Sequence, residues 1–409
     1  MIITMNDSAF RLFGKIQHYS WGGYSFIPTL IGLRPEPGLA YAEYWMGAHE
    51  KAPSELLHNN GTTISLNELI SEHPEKTLGA CIAQKYGRLP FLLKVLDVRE
   101  MLSIQVHPTK SEAEVGFAQE NERGIPLDAP QRNYKDDNHK PELQLALSDF
   151  WLLHGFQPKD QLRHVLHQTP EFTILEDIFT NQGYYGLYKH TMEMPIKSVN
   201  ALLNSLAERI LHKYDSGDLA ESSPDYWAAR AIKGKQLEDY DRGIFSIYFF
   251  NLIRLKPGQA IFQDAGIPHA ALRGQAIEIM ANSDNVIRGG LTPKHIDVPQ
   301  LLKLITFEGF TPEIVESRQR DNPYEAFYES PSPDFRLSRI QLTTGDVYSN
   351  TTGSTEILLL LSGEITFAIN DQEMPLKKGE CVIVFVRKRY RIRAMSELAV
   401  LFKAFIPDI

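Results

Sequence analysis

Three short stretches of this chain carry side chains able to hold a divalent cation: Gln105-Val106-His107-Pro108, Lys140-Pro141-Glu142 and Ile267-Pro268-His269. A neutral imidazole, a carboxylate and an amide oxygen are each competent ligands for a borderline-soft metal, and four such groups fill a zinc shell. Alternation sharpens the reading. From Leu102 to His107, the apolar Leu102, Ile104 and Val106 fall on one face of a strand and Ser103, Gln105 and His107 on the other. That polar face looks either into solvent or into a wet, metal-holding cavity.

The second stretch behaves in the same way. Glu142-Leu143-Gln144-Leu145 alternates, so Lys140 and Glu142 share the face opposite the leucines, and Pro141 suits a strand start, where its missing N–H does no harm. The third sits in a hairpin. Leu255-Lys256-Pro257-Gly258 makes a turn, Ala260 to Phe262 an apolar strand, and Gly266-Ile267-Pro268 a second turn that delivers His269 to the next strand. That turn resembles the metal-binding hairpin of cupins. The pattern returns at Leu376-Lys377-Lys378-Gly379-Glu380-Cys381-Val382, with Gly379 matching Gly258 and Tyr390 falling where the first copy has His269. The second copy is therefore expected to be a barrel of the same kind with no ligand of its own.

The elements that must position these groups are expected to be mainly β with a helical insertion. Short strands and loops fill residues 10–60, and Ser65-x-x-Glu68 fits a capping box opening a helix through about Leu78. Phe91 to Val98 is a buried strand, and residues 109–137 are expected to be a surface loop with some helix. Helical spacing then appears over 160–167, 170–179 and 198–211, as in Val199, Leu202, Leu203, Leu206 and Ile210. Strands return from Ile247, Val298 opens a short helix, and the chain is β-rich from Asp334. The expected units are 1–156 with 236–333 as the metal-binding part, 157–235 as the helical part and 334–409 as a second β unit.

Composition sets bounds. A chain of 409 residues exceeds one ordinary domain and has ample core. Its formal net charge of −9 lacks the basic footprint of non-specific nucleic-acid binding, while leaving room for a local basic cluster that takes a small anion. Two distant cysteines, Cys81 and Cys381, imply reduced thiols in a reducing compartment and cannot supply a cysteine-rich zinc site. No apolar run reaches the roughly eighteen residues that span a bilayer. Residues 1–7 lack the pattern of a signal peptide. A cytoplasmic location is expected.

Taken together the chain resembles the type I phosphomannose isomerases. The resemblance rests on Tyr19 to Gly22 with its Trp21-Gly22, Tyr41-Ala42-Glu43-Tyr44-Trp45-Met46-Gly47, Pro90 to Leu96, Leu102 to Pro108, Asn138 to Glu142, and His269 through Lys294 with its Asn282-Ser283-Asp284-Asn285-Val286-Ile287-Arg288-Gly289-Gly290. It runs through nearly the whole chain, in order. It implies a cupin-type β-barrel catalytic domain, a helical domain and a second cupin-like β domain. It also implies one zinc on Gln105, His107, Glu142 and His269, and interconversion of mannose 6-phosphate and fructose 6-phosphate by a monomer. The family usually has tyrosine two residues after the last ligand, where this chain has Ala271, so that contact is absent or supplied elsewhere. Tyr44 replaces a more common leucine.

Isomerisation of this kind moves a proton between C1 and C2 through an enediol, and needs a base, charge stabilisation and a phosphate anchor. Glu278, opposite in face to Ile277 and Ile279, is one candidate base. Lys140 is the other, since a cation nearby would depress its pKa. Arg288, in a Gly-flanked loop, has the planar fork that suits phosphate or enediolate oxygens. Trp21, Lys94, Ser103, His139, Asp284 and Lys294 are the expected substrate-side groups. Two rivals stand beside this reading. His107, Glu142 and His269 would also make a two-His-one-carboxylate site for an iron oxygenase, and a non-catalytic sugar-phosphate sensor would keep the same frame.

Overall fold

The computed structural model describes residues 9–57, 61–236 and 239–407; the signal-peptide reading of residues 1–7 lies outside them. Three antiparallel sheets, of ten, nine and four strands, carry the chain, and helices cluster between residues 159 and 249. The strand His269–Ala281 is the hub of the ten-stranded sheet. Its first residues pair with Phe150–Phe156 and, at His269, with Ile104–Val106; from Gly274 it pairs with Phe91–Val98, and from Ala276 also with Glu142–Ala146. Gly274 sits where the partners change. Its φ is 125°, and a Cβ there would stand 2.5 Å from the Asp149 carbonyl oxygen, so only glycine permits the switch.

Burial follows composition. Phe91–Val98 is buried along its whole length, including Lys94 and Asp97. Leu93, Val95, Leu143, Leu145, Ile277 and Ile279 join one core with the C-terminal strands. Ile104, Val106 and Leu153 instead join a core with the helices, among them Leu203, Leu206 and Ile210. The helices thus bury their apolar stripes against the back of the sheet that holds the ligand motifs.

Several expectations need correction. The helix from Ser65 stops at Glu72, because Pro74 has no N–H to continue it, and a second helix runs Pro74–Leu78; Ser65 makes no side-chain cap. Thr109 and Glu112 do form the reciprocal capping box, and they open a 13-residue helix, Lys110–Glu122, within a stretch expected to be mainly loop. Helices continue through Pro224–Ile232 and Gly243–Phe249, so strand structure resumes at Phe250 and not at Ile247. Strand pairing also crosses the expected boundaries. Glu325–Tyr328 pairs with Arg336–Thr343, and Ala9–Phe13 adds to Cys381–Val384 of the C-terminal region. Tyr44 is core, its hydroxyl accepting from the Gly14 amide at 2.8 Å. Cys81 is exposed, Cys381 buried, and both are free.

Candidate active site

Register places the chemistry in two rows. The first runs Arg288, Gln105, His269 and His154 across four adjacent strands. The second runs Trp45, Lys94, Glu278 and Gln144. Because residues directly opposite in a sheet present side chains to the same face, each row is fixed by backbone pairing before any side chain interacts. Glu142, opposite Met280, is one strand-step beyond the second row.

His107, Glu142 and His269 converge, with one ligand atom from each lying within 4.8 Å of the others. His107 shares its Nδ1 with the Asn285 carbonyl at 2.8 Å and His269 shares its Nδ1 with the Ile267 carbonyl at 2.9 Å. Those carbonyls fix the ring orientation and leave the two Nε2 lone pairs facing Glu142, at 3.4 and 3.5 Å from its two oxygens. His269 Nε2 is buried with no hydrogen-bond partner. An orphaned imidazole nitrogen beside a buried carboxylate is costly unless something fills the gap between them, and a divalent cation does. Protonation states agree. Burial, and then Lys140, pushes His107 down to about 4, so the ring is neutral. Burial works against charge on Glu142, but Lys140 and His107 hold its carboxyl well below the usual range. Gln105, opposite His269 in register, lines the cavity that Glu142 and His269 also line.

Lys140 donates to Glu142 and lies 3.5 Å from His107 Nε2, so it directly contacts the cluster that could hold a metal. Lys94 bonds Glu278 at 2.8 Å and lies 3.8 Å from Glu43 and over the Trp45 ring. Burial opposes its charge, but Glu278 and then Glu43 hold the ammonium well above the ordinary lysine range, so it stays protonated, a fixed positive charge and hydrogen-bond donor and not a base. The other Glu278 oxygen accepts from Gln144 at 2.8 Å. Burial raises Glu43, whose carboxylate accepts from the Trp45 indole.

These groups line one cavity of about 640 Å³, which also takes in Trp21, Ser103, Asp284, Arg288 and Lys294. Arg288 is more than half withdrawn from solvent, burial lowers its pKa, and neither it nor the Lys294 ammonium has a protein partner among the described residues. Two unpaired cations facing a cavity suit an anion. Asp284 accepts from Lys51 at 2.5 Å and contacts His49 at 3.2 Å; burial opposes its charge, but His49 and Lys51 hold it ionised.

One expected group is elsewhere. His139 does not line this cavity; its Nε2 contacts Asp334 at 2.7 Å, since neighbours in an extended segment point to opposite faces and Lys140 takes the inner one. Leu102 also departs from the expected face. It precedes the strand and packs near Trp21 and Ala271 in the cavity wall. Tyr19 stacks on Trp21 at 5.8 Å and brings a phenol to the cavity whose wall includes Ala271. Sequence reasoning misses Tyr19, Glu43, Trp45, Gln144 and Lys135. Gln144 is within its reach, being two residues from Glu142 on the same face; Glu43 and Trp45 need strand register, and Tyr19 and Lys135 need the placement of loops.

Comparison with known proteins agrees with this geometry. Residues 9–159 match the model of the phosphomannose isomerase type I catalytic domain. The mannose-6-phosphate isomerase of Salmonella typhimurium is 35% identical over 382 residues, covering 91% of this chain and 94% of the relative. The Homo sapiens mannose-6-phosphate isomerase is 32% identical over 406 residues, covering 92% and 93%. A crystal structure of the Salmonella typhimurium enzyme bound to its substrate and zinc superposes with a TM-score of 0.83, at 32% identity, over 98% of this chain and 100% of that one. With the ligand cluster, the cavity and the whole-chain match in agreement, the chain belongs to the type I phosphomannose isomerase family.

Proposed function

We propose that this protein is a zinc-dependent aldose–ketose isomerase that interconverts mannose 6-phosphate and fructose 6-phosphate. The observation that carries the reading is one cavity lined by Glu142 and His269, which His107 joins from the buried side, together with the Lys94–Glu278–Gln144 row and the unpaired Arg288 and Lys294. Relatives named for this activity cover 91% and 92% of the chain. His107, Glu142 and His269, with Gln105, would hold one zinc, which supplies Lewis-acid polarisation of the sugar oxygens. Arg288 and Lys294 take the phosphate or the enediolate charge, and Trp21 and Ser103 line the sugar. Lys94 keeps Glu278 ionised as the proton-transferring carboxylate, while Lys140 neutralises Glu142. Lys140 remains the rival for the proton.

The chain is read as a cupin-type barrel holding the centre, a helical part and a second cupin-like β region without metal ligands. The helical part extends to Phe249, and residues 9–13 and 325–328 belong with the C-terminal sheet. No helix among the described residues is long and apolar enough to cross a membrane; we place the protein in the cytoplasm as a monomer acting on a small sugar phosphate, without nucleic-acid or membrane partners. The test is incubation of the zinc-loaded protein with mannose 6-phosphate in heavy water. Fructose 6-phosphate should appear with deuterium at the transferred position. Full zinc occupancy without exchange at C2 would leave the sensor reading, and bound iron with oxygen uptake would favour the oxygenase.

A further inference from the structure

The anion end of the cavity contains a third cation. Lys135 lines the catalytic cavity with Arg288 and Lys294, and also lines a neighbouring cavity of about 970 Å³ whose shared wall includes His49, Lys51 and Asp284. It is half-buried, and no carboxylate pairs with it among the described residues. Its ammonium donates to the Leu127 carbonyl at 2.6 Å and lies 3.4 Å from that of Ala129. Its surroundings are mainly cationic: after burial, Lys51 and Arg132 and, to a smaller extent, Arg288 lower its pKa against the opposing pull of Glu120. Lys51 is matched by Asp284 and Arg132 by Glu120, so Lys135 and Arg288 are the uncompensated pair.

The backbone fixes where Lys135 sits. Its amide donates to Asn285 Oδ1 at 2.6 Å, and the carbonyl of Asn285 accepts from His107 Nδ1. Asn285 therefore ties Lys135, the metal ligand His107 and, three residues on, the strand carrying Arg288 into one unit. A lysine held at such an anchor rests its charge on two neutral carbonyls, so an anion entering the cavity it lines would be a stronger acceptor.

We infer that Lys135 is a substrate-binding residue, contributing a third positive charge to the phosphomonoester end of the substrate beside Arg288 and Lys294. The inference rests on the isomerase reading, but its test is separable from it. Turnover by the wild-type protein decides the reading; inhibition by inorganic phosphate, measured across Lys135 variants, decides the inference. Lys135→Met should raise both KM for mannose 6-phosphate and the inhibition constant of phosphate about 10-fold, with kcat within about threefold, as expected for one charge-assisted hydrogen bond. Lys135→Gln keeps donors for the Leu127 and Ala129 carbonyls and loses only the charge, so it should behave like Lys135→Met even if the latter folds poorly. Lys135→Arg should restore both constants. An unchanged phosphate inhibition constant in Lys135→Gln would overturn the inference. So would an equal weakening of unphosphorylated mannose as a competitor, which would mean that the loop and not the charge had been lost.

Discussion

Two hairpins of this protein follow one sequence pattern and end in opposite chemistry. In the first, strands Phe250–Leu255 and Ala260–Gln263 lead to His269; in the second, Gln372–Lys377 and Cys381–Val384 lead to Tyr390 on the strand Arg389–Ala394. The turn glycines match in conformation, with φ of 89° at Gly258 and 84° at Gly379. Both arriving side chains are buried and both meet a buried glutamate. His269 stops 3.5 Å short of Glu142 with its Nε2 unpartnered. Tyr390 donates to Glu356 at 2.7 Å. Around it Asn350 donates to the other Glu356 oxygen, Tyr348 and Ser338 donate to Glu325, and Lys403 bonds Glu325 at 2.6 Å. The second centre satisfies itself and holds its strands together. The first leaves the His269 nitrogen unmatched beside Glu142, the condition for binding something from outside. The histidine, with His107 and Glu142, makes a cluster that could hold a metal, where the tyrosine joins a self-satisfied polar core.

The comparison breaks most sharply at that position. His269→Ala should abolish zinc retention and lower turnover by more than about 100-fold, a loss larger than that typical of outer-partner removal at a metal site. Tyr390→Phe should leave zinc stoichiometry and kcat unchanged within about threefold, and lower stability by about 1.5–3 kcal/mol through loss of a bond to a buried carboxylate. Metal analysis and urea unfolding of the two variants make the measurement. Comparable metal loss in both would end the contrast.

Arg288→Ala should lower turnover by about 10²–10³ with zinc fully retained, because the guanidinium is a preorganised charge and not a ligand. Zinc loss in this variant, measured by metal analysis, would move Arg288 into the metal centre. In the C-terminal cluster the corresponding cation is spent on structure. Lys403→Met strands Glu325 and Glu356 without their cation and should cost about 3–5 kcal/mol in urea unfolding, while the activity of the folded fraction persists.

How far this division can be read from sequence follows from where each signal lies. The ligands are legible because each sits on a short motif with its own local geometry: alternation for Gln105 and His107, a proline-started strand for Glu142, a tight turn for His269. Their convergence is not, since register between strands far apart in the chain leaves no local trace. His139 is drawn into the expected site by its neighbour Lys140, although alternation puts the two on opposite faces. Glu43 and Trp45 lie in a strand buried on both faces, where alternation carries no information and only pairing with Lys94 identifies the cavity side. Ser65 and Thr109 start equivalent capping sequences, yet only Thr109 caps, so a local pattern is outweighed by the packing that follows it.

Acid should separate two histidines near the first centre from Glu356 of the second by sign. In the zinc-free protein burial, followed by Lys140, pushes His107 down to about 4, and burial, followed by His269, pushes His154 down to about 3. Their unfolded values lie near 6.5, so between pH 6.5 and about 4 the unfolded chain binds protons that the folded chain refuses. Stability is intact above pH 6.5 and falls as pH falls, by at most about 1.4 kcal/mol per pH unit for each histidine. Residues 334–409 contain no histidine, and the buried carboxyl of Glu356 runs the other way. Burial raises Glu356 against the opposing pull of Lys403, so its contribution is complete below about 4.5 and is lost as pH rises through the folded value. Urea midpoints of zinc-free protein should therefore drop from pH 7 to 5. The drop should shrink in His154→Gln, which removes one refusing imidazole, and steepen in Glu356→Gln, which removes the opposing carboxyl. A midpoint that stays flat in the wild-type protein, or that moves alike in both variants, would show that the two buried centres do not titrate in opposite senses.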